Sequence, residues 1–360
     1  MSTPMSESVA LCPQQQVALK ALQRATTFAQ ACRQVTLHIQ GELDVPRLQR
    51  AVAALPELHP ELTARLQTVP GFHGLRWCPG ADRAPLALAA HLSALPAEAL
   101  EQQRQAWLDS PFSLTQGPWA QALLLRLDQT HWQLTLAVAS VLVDGPGMGL
   151  LAEGLITLYR APDTRQDEAA GCFEQYLQWR AETAIDEDAG QAQRYWHDHL
   201  QGEASGHARL AYRLGDSRGT PVQRVQVALD PALKAGLQGR AAALQVAMPA
   251  LLQAAWWALL GRVSDQPAFL AQWRHDGRED YDYFAQSAGV LEKALPVQVR
   301  IDESQRFDAW VSAFAALAAQ HVTWQEYWAA APDQALPALG FAAVREYCVD
   351  APSGWRLEQV

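Results

Sequence analysis

Residues 121–145 read QALLLRLDQTHWQLTLAVASVLVDG and carry the clearest β signal in the chain. Two runs of strand-forming residues, ALLLRL and WQLTLAV, flank the polar turn Asp128-Gln129-Thr130, which is the pattern of a β-hairpin. In the second run Trp132, Leu134, Leu136 and Val138 share one face, while His131, Gln133, Thr135, Ala137 and Ala139 share the other. The strand runs out at Ala139-Ser140, and Asp144-Gly145-Pro146-Gly147 opens a helix predicted over residues 148–159. Asp and Gly are common turn residues, so taken alone the pair specifies a strand-end turn. GPGMG at 145–149 is not a phosphate loop, because no Lys-Ser/Thr follows it.

Outward from the hairpin, helices alternate with strands. Helical spacing covers residues 15–30, VTLHI within 34–40 is a strand, and Asp44 caps a helix that puts Val45, Leu48, Val52 and Leu55 on one face. Strands are predicted at 62–69 and 73–78, joined by Pro70-Gly71, and a helix at 97–108. Residues 161–170, APDTRQDEAA, lack periodicity and read as a linker. Beyond it, helices are predicted at 173–181 and 189–200, a strand at 222–229, and a helix started by Asp230-Pro231. Long apolar helices follow at 248–262 and 307–321, with strands at 268–273, 294–300 and near 339–347. The expectation is two α/β halves, residues 1–165 and 171–360.

Composition narrows the function classes. At 360 residues the chain exceeds one ordinary core, and 49% hydrophobic against 18% charged residues make it globular. A net charge of -10 argues against nucleic acid or an anionic membrane as partner. The five cysteines, Cys12, Cys32, Cys78, Cys172 and Cys348, form no C-x-x-C pair, which favours reduced thiols in the cytoplasm over disulfides or zinc. The N-terminus shows no secretory signal, and the apolar run 246–263 is broken by Pro249, Gln253 and Arg262, as in a buried helix. His197-Asp198-His199 sits at i and i+2 of a helix, which faces different ways and favours a solvated surface over a metal site; no metal is expected. The 13 tryptophans, Trp256, Trp257, Trp324 and Trp328 among them, have the spacing of core residues.

Several blocks then fall in a telling order. The stretch 139–145, ASVLVDG, resembles the H-H-x-x-x-D-G signature of nonribosomal peptide synthetase condensation domains and their chloramphenicol-acetyltransferase-like relatives. In it Asp144 and Gly145 survive, while Ala139 and Ser140 stand for the two histidines. LHPEL at 58–62 is similar to that family's R-H-E-x-L-R block, and PFSL at 111–114 with Gly117-Pro118 to its P-F-D-L-x-x-G-P. FEQYLQW at 173–179, Tyr195-Trp196 with Leu200-Gln201-Gly202, Gly277-Arg278, and Ala288-Gly289 through Leu295-Pro296 to Arg300 resemble further family blocks. Each is weak alone, but chance matches would not stay collinear over residues 15–341.

The resemblance implies an α/β pseudo-dimer of two chloramphenicol-acetyltransferase-like subdomains in a V, the C-terminal one trimmed because the chain ends at Val360. It implies a tunnel for carrier-protein-bound substrates with the motif loop at its centre. Site residues would then be Ser140, Asp144 and Gly145 at the motif, with Ala139, Arg65, Arg278 and Gly289 as tunnel or structural support. No cofactor would be bound, since substrates ride on the phosphopantetheine of an acyl or peptidyl carrier protein and meet a small-molecule amine or alcohol.

Four departures bear on activity. A Ser140 hydroxyl cannot take up a proton near neutral pH as imidazole does. The Arg that pairs with the motif Asp in the family falls at Thr63, leaving Arg65, two residues on and on the same strand face, as its replacement. The family's late Asn falls at Lys293, and Ala139 replaces the first histidine. A Ser140 nucleophile would need a neighbouring base, and no histidine is near it in sequence. His131 shares the strand face of Ala139 but lies eight residues away, at the hairpin's mouth. Three functions stay open: amide- or ester-forming acyl transfer from a carrier thioester, an inactive module that binds carrier proteins or recruits an enzyme, and acyl transfer from small donors such as acyl-CoA.

Overall fold

The computed structural model describes residues 8–80, 85–94, 96–165, 170–201, 225–264, 266, 268–302, 304–329, 339–344 and 352–359. Along the chain lie α1 (Pro13–Leu22), α2 (Phe28–Ala31), β1 (Cys32–Gln40), α3 (Val45–Leu58), β2 (Arg65–Thr68), β3 (Leu75–Cys78), β4 (Leu88–His91), α4 (Ala97–Leu108), β5 (Ala120–Arg126), β6 (His131–Ala139), α5 (Gly145–Arg160) and α6 (Phe173–Thr183). They are followed by α7 (Ala189–Leu200), α8 (Pro231–Ala243), α9 (Met248–Ser264), β7 (Ala268–Asp276), β8 (Glu292–Arg300), α10 (Phe307–Thr323), β9 (Gly340–Ala342) and β10 (Trp355–Gln359). Contacts divide the chain into two compact units. One comprises Met1–Thr183, Asp276–Glu292 and Val344–Val360, and the other Ala184–His275 and Lys293–Ala343. A boundary at 165/171 gives α6, 276–292 and 344–360 to the second half, whereas packing places them in the first, because long-range pairing ignores chain order.

The first unit is built on the sheet β10-β1-β6-β5-β4. The hairpin β5–β6 forms where the alternation placed it, and β1 joins β6 antiparallel with Val35 opposite Leu136 and Leu37 opposite Leu134. These apolar residues face α5, which in turn packs on α3. On the reverse face Thr36 and Thr135 meet through their hydroxyls at 3.3 Å. Asp44 caps α3 by accepting the Arg47 N–H at 2.9 Å. The predicted helix over 15–30 is two pieces, α1 and α2, because the Gln30 side chain accepts the Thr26 N–H at 2.9 Å and turns the chain there. The predicted strand at 62–69 opens with a 3-10 turn, Pro60–Thr63, so β2 begins at Arg65.

The pairing of β10 with β1 has no counterpart among the predicted strands. It is seated by Gly354, whose φ of +91° and whose approach to the Gln40 carbonyl leave no room for a Cβ, and by Trp355, 4.9 Å from the Tyr159 ring. In the second unit α9 and α10 pack together over the sheet β8-β7-β9. Of the strand predicted over 222–229, residues 222–224 lie outside the described residues. Residues 225–229 form no strand: Val225 and Val227 are 84% and 78% exposed, and alternation alone cannot hold a strand without a ladder partner. Part of the predicted linker, 166–169, and part of the strand near 347 also lie outside the described residues. Among the described residues no single helix is long and apolar enough to cross a membrane, though α8 and α9 pass as a pair bent by 100°.

The second unit also contains a chain of neutral rings. Tyr195 on α7 meets Nδ1 of the buried His321 at 2.5 Å, Nε2 of His321 meets Nε2 of His199 at 3.1 Å, and the Gln298 N–H reaches that same nitrogen of His199 at 3.2 Å. His199 must accept from Gln298, so His321 donates to it through Nε2 and accepts from the Tyr195 hydroxyl. The i, i+2 spacing predicts a solvated face for His199; half-buried, it instead bonds inward. Burial, reinforced by Arg300, lowers His199 to about 4, and burial with the neighbouring His199 lowers His321 to about 3. Both folded values lie below the unfolded value near 6.5, so the unfolded state binds more protons below pH 6.5 and stability falls with acid. Denaturant unfolding followed by tryptophan emission should show this unit losing stability steadily from about pH 6.5 to pH 4, and His199→Gln should flatten that decline.

Candidate functional site

The loop 139–144 is anchored at both ends. Ala139 ends β6 with its N–H on the Trp119 carbonyl at 2.7 Å, and the Ser140 N–H continues the ladder to Ala31 at 2.9 Å. A turn closes from the Leu142 N–H to the Ala139 carbonyl at 2.9 Å. The fully buried Gln15 of α1 donates through Nε2 to the Val141 carbonyl at 2.9 Å and accepts the Cys12 N–H at 3.2 Å. Ala139, Val141, Leu142, Val143 and Asp144 are buried, whereas Ser140 is half-exposed. Among residues 139–144 it is the one side chain the loop presents.

Asp144, 2% exposed, caps α5 and organises everything around it. Its Oδ1 accepts from the Gly147 N–H at 2.7 Å and from Arg278 Nη2 at 3.0 Å, and its Oδ2 from Arg278 Nη1 at 3.1 Å and from the Leu291 and Glu292 N–H groups, each at 2.7 Å. Arg278 uses every donor it has: Nε goes to the Ser287 carbonyl at 2.7 Å, Nη1 also to Asp276 at 2.8 Å, and Nη2 also to the Gly289 carbonyl at 2.7 Å. Burial disfavours its cation, but the Asp144 and Asp276 carboxylates outweigh that and hold the guanidinium above its ordinary pKa. Nearby, Glu61 accepts the Ala288 N–H at 2.6 Å, and the buried His59 lies 3.8 Å from Glu61.

The glycines here are places of close approach. A Cβ on Gly147 would lie 2.0 Å from the Ala288 carbonyl oxygen, and one on Gly289 would lie 2.1 Å from the Phe173 ring. Gly145 has open space around its Cβ position and serves as the first residue of α5.

Of the residues singled out in the sequence, Ala139, Ser140, Asp144, Gly145, Arg278 and Gly289 come together in the first unit. Arg65 does not join them. Its Nη1 turns back on the Thr63 and Ala64 carbonyls at 3.0 and 2.7 Å, its guanidinium lies 6.0 Å from the Trp119 ring, and desolvation lowers its pKa. The partner of Asp144 is therefore Arg278, from 134 positions downstream. Thr63 lines a cavity of about 130 Å³ together with Glu61, Trp77, Gly80 and Phe173. Lys293, in the second unit, is fully buried with its Nζ 2.8 Å from Glu326. His131 is at the hairpin mouth, held by Asp128 at 2.8 Å. Among the described residues no group of three or more His, Cys, Asp and Glu could hold a metal ion. Gln15 escapes sequence reasoning, its only signal being a polar residue on an otherwise apolar helix face.

The comparisons with known proteins agree with this architecture. The condensation domain family model matches residues 5–328, and the chain belongs to that family. Chondramide synthase cmdD of Chondromyces crocatus is 25% identical over 294 residues, covering 77% of this chain but 7% of that protein. Bacitracin synthase 3 of Bacillus licheniformis is 22% identical over 200 residues, 54% of this chain and 3% of its own length. The chain thus spans a small fraction of these relatives. Among solved structures, the first condensation domain of the CDA synthetase superimposes with a TM-score of 0.76 at 17% identity, over 98% of this chain and 87% of that one. The X-domain from teicoplanin biosynthesis gives 0.71 at 21% identity, over 91% and 73%.

Two substitutions test the scaffold. Arg278→Met, which strands the Asp144 carboxylate, should cost about 3–5 kcal/mol in urea unfolding. Gly147→Ala drives a methyl into the Ala288 carbonyl and should cost about 3 kcal/mol.

Proposed function

We propose that the chain is a condensation-type acyl-transfer module of nonribosomal peptide assembly, with Ser140 in the place of the family's second histidine and no general base. Condensation domains act on carrier-bound substrates. The donor would accordingly be an acyl or peptidyl thioester on the phosphopantetheine of a cytoplasmic carrier protein, and the acceptor a small-molecule amine or alcohol, with no cofactor held by the module itself. The observation that carries this reading is the presentation of Ser140: the loop buries its other side chains and leaves this residue half-exposed at the end of β6.

The chemistry asks little of that hydroxyl. An amine attacks the thioester carbonyl carbon, the C–N bond forms, the C–S bond breaks, and the amine's proton passes through water to the departing thiolate. The Ser140 hydroxyl orients the amine by accepting one of its N–H groups. Holding the reactants together supplies up to about 7–11 kcal/mol, while a missing general base costs about 10²- to 10⁴-fold in rate. A slow enzyme with a reactive donor is consistent with these magnitudes. Asp144 contributes by shape, since its oxygens already accept five hydrogen bonds.

A second reading has its own support. Among the described residues no histidine is hydrogen-bonded to Ser140, as expected of a module that binds carrier proteins or recruits a partner enzyme without chemistry. Single-turnover transfer from acyl-loaded carrier protein to a panel of amines separates the two. The natural protein should transfer slowly, Ser140→Ala more slowly still, and Ser140→His faster by up to about 10²-fold. If no form transfers while carrier protein still binds, the recruitment reading replaces this one.

A further inference from the structure

The cavity of about 130 Å³ lies wholly within the first unit, between the 3-10 turn that follows α3, the end of β3 and the start of α6. At about 30 Å³ per water in the liquid, it has room for roughly four waters or one small organic group. Glu61, Thr63, Trp77 and Phe173 form a buried floor, while Cys172 and Glu174 at the rim are half-buried, so a ligand can enter from that side. Trp77 and Phe173 meet edge to face with centroids 5.1 Å apart, which makes an aromatic wall. Among the described residues that line the cavity there are two carboxyl side chains and no lysine, arginine or histidine. Glu61 sets its chemistry. The residue is 4% exposed, its Oε1 accepts the Ala288 N–H at 2.6 Å, and the His59 ring stands 3.8 Å from that same oxygen. Its Oε2 takes no hydrogen bond among the described residues, yet it is not sealed from solvent as the Nε2 of His59 is. The open space that Glu61 borders is the cavity, so Oε2 faces it. A carboxylate oxygen left without a donor in a largely desolvated place calls for one from a ligand, and a cation there is screened little by salt.

We propose that this cavity binds a small alkylguanidinium ligand, with its N–H groups on Glu61 Oε2 and its flat face against the wall of Trp77 and Phe173. A guanidinium is more weakly hydrated than an ammonium and stacks on aromatic rings, so it loses less on entering a half-apolar space. A primary ammonium has three donors to satisfy. The floor offers one open carboxylate oxygen and the Thr63 hydroxyl, which already donates to the Pro60 carbonyl at 2.8 Å and can only accept. The site is separate from Ser140 and holds whether or not the chain transfers acyl groups. On its other side it is tied to the motif scaffold, because Ala288, bonded to Glu61, precedes Gly289, whose carbonyl accepts from Arg278.

Calorimetric titration of the whole protein with methylguanidinium, N-methylurea and tetramethylammonium tests this. Methylurea has the same shape without the charge, and tetramethylammonium has the charge without an N–H. Methylguanidinium should bind at a single site with a Kd of about 1 mM, the range open to so small a ligand, and at least about tenfold more tightly than either comparison. Glu61→Gln keeps an acceptor for the Ala288 N–H but not the charge, and should weaken binding about tenfold or more. Saturating methylguanidinium should also slow the alkylation of Cys172 by iodoacetamide severalfold, read peptide by peptide, which places the ligand in this cavity without any variant. Methylurea or tetramethylammonium binding as tightly, no saturable binding, full affinity in Glu61→Gln, or an unprotected Cys172 would each overturn the proposal. The charge comparison and the protection of Cys172 on the natural protein decide it even if Glu61→Gln fails to fold.

Discussion

The buried pair of Asp144 and Arg278 is the interaction on which the rest of the first unit turns. Isolated, either charge would cost several kcal/mol to bury, and the pair is tolerated because both members are saturated with hydrogen bonds. One carboxylate ends the motif loop, caps α5 and receives two backbone N–H groups of the segment 276–292. The loop's shape is thereby imposed by groups outside positions 139 and 140. Ala139 and Ser140 enter that path through their backbone groups alone.

That separation of shape from chemistry explains the condition of the site. Gln15, Asp144 and Arg278 fix the backbone, while the half-exposed Ser140 holds the loop through its backbone N–H. Serine there supplies a hydroxyl without a basic nitrogen. The cation beside the loop, Arg278, is consumed by the scaffold, with every one of its donors taken.

Local signals in the sequence were legible and long-range ones were not. The hairpin β5–β6 and the caps Asp44 and Asp230 depend on neighbours within a few positions, and the structure shows each of them. Arg65 is expected beside Asp144 because it lies close in sequence to the family's arginine, yet the choice between Arg65 and Arg278 depends on a contact 134 positions apart. The strand β10, WRLEQ, alternates apolar and polar residues over four positions, too short a run to mark a strand by itself, and it exists because β1 offers an edge. Residues 225–229 show the converse, a correct alternation without a ladder. His199 finds its role only through His321, 122 positions on.

The discontinuity of the first unit sets a schedule for its folding. A ribosome releases β1, β5, β6 and the Ser140 loop early, yet Asp144 waits for its guanidinium until Arg278 emerges, and β1 keeps a bare edge until residue 355 arrives. Until then a carboxylate and a strand edge stay open to water or to other chains. Such non-local closure slows folding and makes β10, more than three hundred positions after β1, the strand that completes the first sheet.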